Sequence, residues 1–344
     1  MSLNISQIDD AVQLTLNNFV EKGKFVNMQT DLTDHVAVRE MWKTRKTTFE
    51  GGIEWEFQVQ MDHNHSARMV GLYEQDASSL TDTMTNGSVP VRHINAHFTY
   101  DQREKDFQRG ETKIVDLIKT RSTAMHSSYY EELEEQLWSK PSDSSDTRDV
   151  FGIPYWVVKN STVGLTGGNP TGFASGAGGI DSAAYPRWKN FSGSYTDVTK
   201  TDLVRKMRKA HRETMFRSPL TNAEATLSGM GNGIYVNTDT IGTLEEILED
   251  QNMNLGNDLA SKDGRTLFKG TPVTYAPFLN NDSQNPIYML DWRYLQVGCM
   301  AGWEDNITQP YMVPGKHTVR RVDLDASVNM LCIDRRRQTV LYQA

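Results

Sequence analysis

The stretch GGIEWEFQVQMDHNHS, residues 51–66, alternates strictly between apolar and polar side chains from Ile53 to Met61. A period of two is typical of a strand with one buried face. The polar run that begins at Asp62 predicts a hairpin tip, and ARMVGLYEQ at residues 67–75 reads as the returning strand. Because an isolated hairpin is only marginally stable in water, its apolar face needs a partner.

We expect a neighbouring copy of the chain to be that partner, since nothing within the hairpin itself covers the face. The predicted contact residues alternate along the strand: Ile53, Trp55, Phe57, Val59 and Met61. Gly51 and Gly52 precede them and predict a hinge at the base of the hairpin, because glycine adopts backbone angles that other residues avoid. Further along, Asn86-Gly87 has turn chemistry, and residues 90–98 form another strand candidate.

Length, charge and cysteine content limit the class of protein. The 344 residues suffice for one large domain or two medium ones, and a formal charge of −8 argues against a protein whose main task is to bind nucleic acid. No window reaches 18 consecutive apolar residues and no signal peptide is visible, so no membrane partner is expected. Cys299 and Cys332 are expected to be small core residues in a reducing compartment.

The longest helical pattern runs from Asp101 to Trp138. Its apolar residues recur at intervals of about four and seven: Phe107, Ile114, Ile118, Met125, Tyr129, Leu133 and Leu137. A continuous helix of that length would reach roughly 55 Å, which is typical of a strut. A shorter helix is predicted at residues 5–20. Helices and strands are mixed without a βαβα rhythm, so we predict an α+β fold.

Histidines offer the main candidate for chemistry. His63 and His65 lie at the predicted hairpin tip, and His93 and His97 have an H-x-x-x-H spacing. The zinc-protease motif needs a glutamate directly after the first histidine, and Ile94 stands there instead. That motif is therefore not met. A metal-dependent hydrolase that uses His63, His65, His93 or His97 is kept as the alternative to solvated histidines on strands and turns.

The glycine-rich stretch GLTGGNPTGFASGAGG, residues 164–179, matches no motif for phosphate, dinucleotide or serine-hydrolase chemistry. It is read as a loop that packs within the protein or becomes ordered in an assembly. Across the chain, no nucleophile, carboxylate pair or ligand cluster is evident, so we predict neither catalysis nor a cofactor.

A basic helix is predicted after Thr201. Residues 200–217 carry seven lysines and arginines against two acidic residues, a net charge of +5. The cationic candidates for a contact are Arg205, Lys206, Arg208, Lys209 and Arg212. They form either a solvated face that pairs with acidic neighbours or a surface for an acidic partner or phosphates. No aromatic side chains are interleaved to stack on bases, which favours the first reading.

Three strings resemble one branch of the major capsid proteins of tailed double-stranded DNA bacteriophages. They are VFGIPYWVVKN (150–160), YPRWKNFSGSYTDVTKTDLVRKMRKA (185–210), and LFKGTPVTYAPFL with IYMLDWRYL (267–279 and 287–295). The order of elements along nearly the whole chain is also similar to that family, which has the Hong Kong 97-type fold.

This resemblance implies an architecture. An N-terminal arm would span residues 1–45, and an extended loop 46–80. A peripheral domain at 81–149 would contain a spine helix at 101–138. An axial domain would span 150–290, and residues 291–344 would return to the strands of the peripheral domain.

The resemblance also implies a function and partners. The chain would form hexamers and pentamers of an icosahedral head around double-stranded DNA, in a virion assembled in the host bacterial cytoplasm. Separate scaffolding, portal and cement proteins would be further partners. Residues 47–92 contain no lysine, so the lysine–asparagine cross-link of some relatives is not carried over. A bacterial nanocompartment shell with the same fold is the alternative.

Overall fold

The structure, a computed structural model, describes residues 35–44, 46–62, 67–72, 83–104, 117–214, 232–249 and 266–344. Within these ranges helices and strands are mixed in order, which confirms the predicted α+β class. The helix predicted at residues 5–20, the rest of the arm before His35, and His63 and His65 lie outside the described residues.

The described helices are α1 Val36–Thr44, α2 Leu117–Trp138, α3 Ile153–Trp156, α4 Leu203–Thr214 and α5 Thr238–Glu249, with 3₁₀ turns at Pro277–Asn281 and Arg335–Arg337. The described strands are β1 Lys46–Phe49, β2 Glu54–Gln60, β3 Met84–Pro90, β4 Arg92–Asp101, β5 Gly164–Gly167, β6 Asn190–Tyr195, β7 Asn232–Val236, β8 Leu267–Phe268, β9 Thr271–Tyr275, β10 Ile287–Asp291, β11 Leu295–Met300, β12 Asn306–Ile307, β13 Tyr311–Met312, β14 Val319–Cys332 and β15 Thr339–Gln343. None of the helices in these ranges is long and apolar enough to cross a membrane.

The chain divides into two compact units. Among the described residues, the first unit takes its residues from Ile94–Glu132 and Gly302–Ala326. The second takes its residues from Asp34–His93, Leu133–Ala301 and Ser327–Ala344. Cys299 and Cys332 belong to the second unit, where both are buried free thiols, as predicted.

A seven-stranded mixed sheet organises the second unit, in the order β5-β6-β15-β10-β7-β9-β8. Helix α4 packs on this sheet through residues spaced four and three apart, because that spacing places them on one side of a helix. These buried residues are Leu203, Met207, Ala210 and Thr214. Leu203, Met207 and Ala210 share a core with Phe191, Ile234 and Leu244 of neighbouring elements. The predicted basic helix is therefore amphipathic, with its charges on the outer face.

The strand of the opening stretch pairs with a different segment of the chain from the one predicted. Strand β2 pairs antiparallel with β3, so that Trp55 lies opposite Val89 and Gln60 opposite Met84. Residues 67–72 form no strand, and the predicted return at residues 67–75 is wrong there. Asn86-Gly87, predicted as a turn, lies inside β3.

The glycine inside β3 has a steric explanation. Gly87 lies opposite Phe57, and a Cβ added at Gly87 would come within 2.5 Å of the Phe57 ring. Glycine therefore lets the ring cross the neighbouring strand. The same residue type that suggested a turn is needed here for close packing in a strand.

The first unit contains strands β12 and β13, which pair antiparallel with β14. Asp101 is the last residue of β4, so the long helix does not begin there as predicted. The Asp101 carboxylate accepts hydrogen bonds from Thr318 Oγ1 at 2.8 Å and from the Arg103 amide at 2.9 Å. Helix α2 is described over Leu117–Trp138, within the predicted range, and residues 105–116 lie outside the described residues.

At the C-terminal end, strands β14 and β15 flank a charged turn. Asp334 begins the 3₁₀ turn by accepting a hydrogen bond from the Arg336 amide at 3.0 Å. Strands β14 and β15 join different sheets. The turn therefore takes the chain from one sheet to the other, which a simple hairpin would not do.

Candidate assembly surfaces

Trp55 is covered by its own chain. Its side chain is 2% exposed, and its ring stacks on Phe49 with centroids 4.7 Å apart. A Cβ added at Gly298 of β11 would lie 2.7 Å from a Trp55 ring atom, so glycine there makes room for the indole. The prediction that Trp55 packs on a neighbouring copy is therefore wrong, because β1 and β11 supply cover that the hairpin itself lacks.

The rest of the predicted contact face divides into three classes. Met61 is also buried, at 6% exposure, so the predicted neighbour contact is wrong there as well. Phe57 and Val59 are half-buried, and Ile53 is 88% exposed. A contact of Ile53 with another copy stays a prediction.

Phe57 packs against the segment that holds the glycine-rich stretch. Its ring centroid lies 6.3 Å from the rings of both Trp156 and Trp188. A Cβ at Gly178 would come within 3.1 Å of Phe57, and the Gly178 carbonyl accepts a hydrogen bond from the Ser88 amide. The glycine-rich stretch is thus ordered within the subunit, where its glycines allow aromatic rings to approach the backbone.

The residues predicted as a hinge are both exposed. Gly52 has φ of +123°, a conformation that favours glycine, and a Cβ at Gly51 would meet no described residue within 4 Å. The backbone at this position thus needs glycine. That the hairpin swings about it stays a prediction.

Beyond the buried part of the hairpin, large apolar side chains are exposed. Met69 is 99% exposed and Leu72 is 94% exposed, and Val70 and Met84 are more than half exposed. We call these four residues the loop patch. Large exposed apolar side chains close together are typical of interaction sites, and Met69, Val70 and Leu72 lie within four residues of one another in sequence. Sequence reasoning missed the loop patch because residues 67–72 were interpreted as a strand, although the run ARMVGL was a usable signal.

The cations of α4 fall into two groups. Lys206 forms an ion pair with Asp202, and Lys209 Nζ lies 3.7 Å from Glu213 and donates to the Val163 carbonyl. These two lysines belong to the solvated face with intramolecular partners. The remaining members of the predicted set are exposed: Arg205, Arg208 and Arg212.

The histidines are not brought together with other ligands in the described part of the chain. His93 and His97 are exposed residues of strand β4, and His93 Nδ1 lies 2.8 Å from Ser327 Oγ. Within the described ranges, no group of three His, Cys, Asp or Glu side chains is placed to hold a metal ion. His63 and His65 lie outside those ranges.

Glu134 is a buried acidic residue that the sequence did not single out. Its carboxylate accepts hydrogen bonds from the amides of Ala37 and Val38, at 3.0 and 2.8 Å, and from Trp138 Nε1 at 2.7 Å. Burial raises the pKa of this carboxyl, and the three hydrogen bonds oppose that rise. Glu134 thereby satisfies the free N–H groups in the first turn of α1.

Arg335 is a second buried charge that the sequence did not single out. Its guanidinium donates to the carbonyls of Trp156, Gly168 and Trp188, at 2.8, 2.8 and 3.0 Å. Burial lowers the pKa of Arg335 to about 10, so the group stays charged at neutral pH. It connects the turn before β15 to three separate points of residues 156–188.

Solved structures with a similar fold include a cyanophage capsid, the capsid of a GTA particle and an encapsulin complex. The capsid subunit of cyanophage A-1(L) is 14% identical, with a TM-score of 0.65 over 96% of this chain and 98% of that chain. The capsid of a native GTA particle is 11% identical, with a TM-score of 0.60 over 97% and 98%. The SrpI encapsulin complex of Synechococcus elongatus is 10% identical, with a TM-score of 0.55 over 99% and 96%.

The sequence matches no protein-family model and no curated protein. The structural likeness covers nearly the whole chain on both sides, which confirms the predicted Hong Kong 97-type fold.

Proposed function

We propose that this chain is the major capsid protein of a tailed double-stranded DNA bacteriophage. It self-assembles into the hexamers and pentamers of an icosahedral head. The observation that carries the proposal is the likeness to capsid subunits over 96% of this chain and 98% of the cyanophage chain. The loop patch supports it, because exposed apolar side chains such as Met69 and Leu72 become buried when subunits associate.

The proposed parts follow the predicted architecture with one extension. Residues 1–45 form the arm, α2 belongs to the spine helix, residues 150–290 form the axial domain, and residues 91–149 and 291–344 form the peripheral domain. The extended loop of residues 46–80 is lengthened to Pro90, because β3 pairs with β2 along its whole length.

The proposed partners are other copies of the chain, packaged DNA held by non-specific contact, and separate scaffolding, portal and cement proteins. The mature location is the virion, after assembly in the host bacterial cytoplasm. Since residues 47–92 contain no lysine, subunits would be held together by noncovalent contacts in this region. Catalysis and a cofactor form no part of this function.

A nanocompartment shell is the second candidate, favoured by the likeness to the SrpI encapsulin complex. Both candidates are self-assembling shells, so assembly alone does not separate them. Portal and terminase genes beside the gene would support the phage head, and a cargo-enzyme gene would support the compartment.

The first experiment expresses the full chain alone. The particles are then sized by size-exclusion chromatography and imaged by negative-stain electron microscopy. We expect closed shells or capsomer rings. A strictly monomeric chain over a range of concentrations and salt, with and without a co-expressed scaffolding protein, would contradict the proposal.

A further inference from the structure

Three arginines form a line on the outer face of α4. Arg205, Arg208 and Arg212 are exposed and are spaced three and four residues apart, opposite the buried Leu203 and Met207. Residues at this spacing lie on one side of a helix, and the line spans about 10 Å along its axis. We call these three residues the arginine stripe.

Helix α5 carries a matching line of opposite charge. Asp239 and Glu246 are exposed, and Gly242 lies between them with the same spacing of three and four residues. A Cβ added at Gly242 would meet no described residue within 4 Å, so the described part of the subunit leaves the space above this glycine open. We call Asp239, Gly242 and Glu246 the acidic stripe.

Neither stripe is neutralised within the subunit as far as the structure describes it. The ion pairs among the described residues engage Lys206 and Lys209 on α4, but neither the arginine stripe nor Asp239 and Glu246. Glycine is also a poor choice for the interior of a helix, because it costs backbone entropy and supplies no side chain. An approaching partner explains why that position has no side chain.

We propose that the arginine stripe of one copy binds the acidic stripe of a neighbouring copy. This inference rests on the proposed function and names the residues of one of its contacts. The charges are complementary, the spacing is equal, and the central Gly242 gives Arg208 of the other copy access to the helix surface. Such complementarity orients the approach of two subunits and suppresses wrong pairings.

The contact joins two different surfaces of the same chain, so it is heterologous. A heterologous contact generates a closed ring when its rotation closes, which is the geometry that hexamers and pentamers require.

Nucleic acid is a less favoured partner for the arginine stripe than a second copy of the chain. Two of the five cations on α4 are already paired, and this face has no Phe, Tyr or Trp on which bases could stack.

The test is a charge swap in the full-length chain. One variant carries Arg205→Glu, Arg208→Glu and Arg212→Glu, a second carries Asp239→Lys and Glu246→Lys, and a third combines all five changes. The matched control reverses three exposed cations elsewhere: Lys140→Glu, Arg148→Glu and Lys316→Glu. A milder set, Arg205→Gln, Arg208→Gln and Arg212→Gln, keeps good helix-forming residues in case the reversal disturbs folding.

The assembled fraction is measured by sedimentation and electron microscopy at low and high salt. Each reversal should lower it about tenfold at low salt, because attractive pairs become repulsive at every contact. The combined variant should restore assembly, while the control should assemble like the unaltered chain. The glutamine set should assemble less well than the unaltered chain, with a weaker salt dependence.

Two results would overturn the inference while leaving the proposed function intact. In the first, the reversals and the glutamine set assemble like the control. In the second, the arginine variants assemble normally but lose co-purifying nucleic acid, which assigns the stripe to DNA. Failure of the unaltered chain to assemble at all would contradict the proposed function, and the inference with it.

Discussion

The ring of Trp55 lies parallel to the ring of Phe49, with centroids 4.7 Å apart and planes at 11°. This stacking places the first large residue of the hairpin's apolar face inside its own subunit. The hairpin is therefore fastened to β1 at its base. Ile53 stays exposed before Trp55, and the exposed apolar side chains of the loop patch lie farther along the chain.

Trp55→Ala should therefore destabilise the subunit. Removal of a buried tryptophan costs about 3–5 kcal/mol of unfolding free energy, because it leaves a cavity beside Phe49 and Gly298. Chemical denaturation followed by circular dichroism measures this loss. Ile53→Ala is the control: this residue is 88% exposed, and its replacement should change stability by less than about 0.5 kcal/mol. Equal effects of the two changes would contradict the intramolecular packing of Trp55.

The strand of the opening stretch could be predicted from sequence, but its partner strand could not. Alternation identifies the buried face of a strand without naming what covers it. Residues 67–75 were the nearest strand-like segment, whereas the actual partner, β3, contains Asn86-Gly87, which resembles a turn. Only the position of the Phe57 ring explains why a glycine belongs there.

The position of the basic helix could be predicted from the sequence, and so could two of its ion pairs. Its periodicity locates α4, and two of its cations have acidic residues four positions away, which is the spacing of helical ion pairs. That spacing, Asp202 to Lys206 and Lys209 to Glu213, could have separated the paired lysines from the arginines. The acidic stripe had no such signal, because an exposed glycine in a helix is understood only when the space above it is known.

Arg335 could not be found from the sequence, because its acceptors lie 147 to 179 residues away. We expect Arg335→Lys to lower the unfolding free energy by about 2–4 kcal/mol, since lysine lacks the planar fork that reaches three carbonyls. Arg336→Lys, a half-buried neighbour in the same turn, should cost less than about 1 kcal/mol. A thermal or urea melt compares the two. An Arg335→Lys protein as stable as Arg336→Lys would contradict the connecting role.

Asp323 in the first unit should contribute stability that depends on pH. Burial acts to raise the pKa of its carboxyl, but hydrogen bonds from Tyr311 and Arg321 and the charge of Arg321 outweigh burial and lower the pKa below its usual value. The contacts are short, at 2.6 Å from Tyr311 Oη and 2.7 Å from Arg321 Nε. The folded state therefore binds this proton less tightly than the unfolded chain does.

A depressed carboxyl pKa stabilises the fold above the unfolded value of about 3.9, and the contribution is lost as the pH falls through the folded value. Asp323→Asn should thus cost about 1–3 kcal/mol at pH 7, and the cost should shrink as the pH falls below about 4. Urea melts of both proteins from pH 7 to pH 3 measure this. Tyr311→Phe removes one hydrogen bond and should weaken the pH dependence. A cost that stays constant with pH would contradict the assignment.

The loop patch should matter for assembly and not for folding. Met69→Ser with Leu72→Ser should leave the subunit's unfolding free energy within about 0.5 kcal/mol, because both side chains are almost fully exposed. The assembled fraction should fall at least about tenfold, since each buried apolar side chain is worth roughly 1.5–3 kcal/mol at a contact. Leu267→Ser with Ile333→Ser, exposed residues elsewhere, should assemble normally. If electron microscopy shows that the two double variants assemble equally well, the loop patch takes no part in the contact between subunits.

Two substitutions at Gly242 distinguish an effect on the stability of the subunit from an effect on its contact with a neighbouring subunit. Gly242→Ala should raise the unfolding free energy by about 0.5–1 kcal/mol, because alanine favours the helix and its Cβ meets no described residue of the subunit. Gly242→Met should fold equally well, since its longer side chain projects into the same open space. If another subunit's arginine approaches this point, the methionine variant alone should lose assembly. Thermal melts measure the stability of the two variants, and sedimentation measures their assembled fraction. A methionine variant that assembles as well as the alanine variant would mean that no neighbouring subunit comes close to α5 at Gly242.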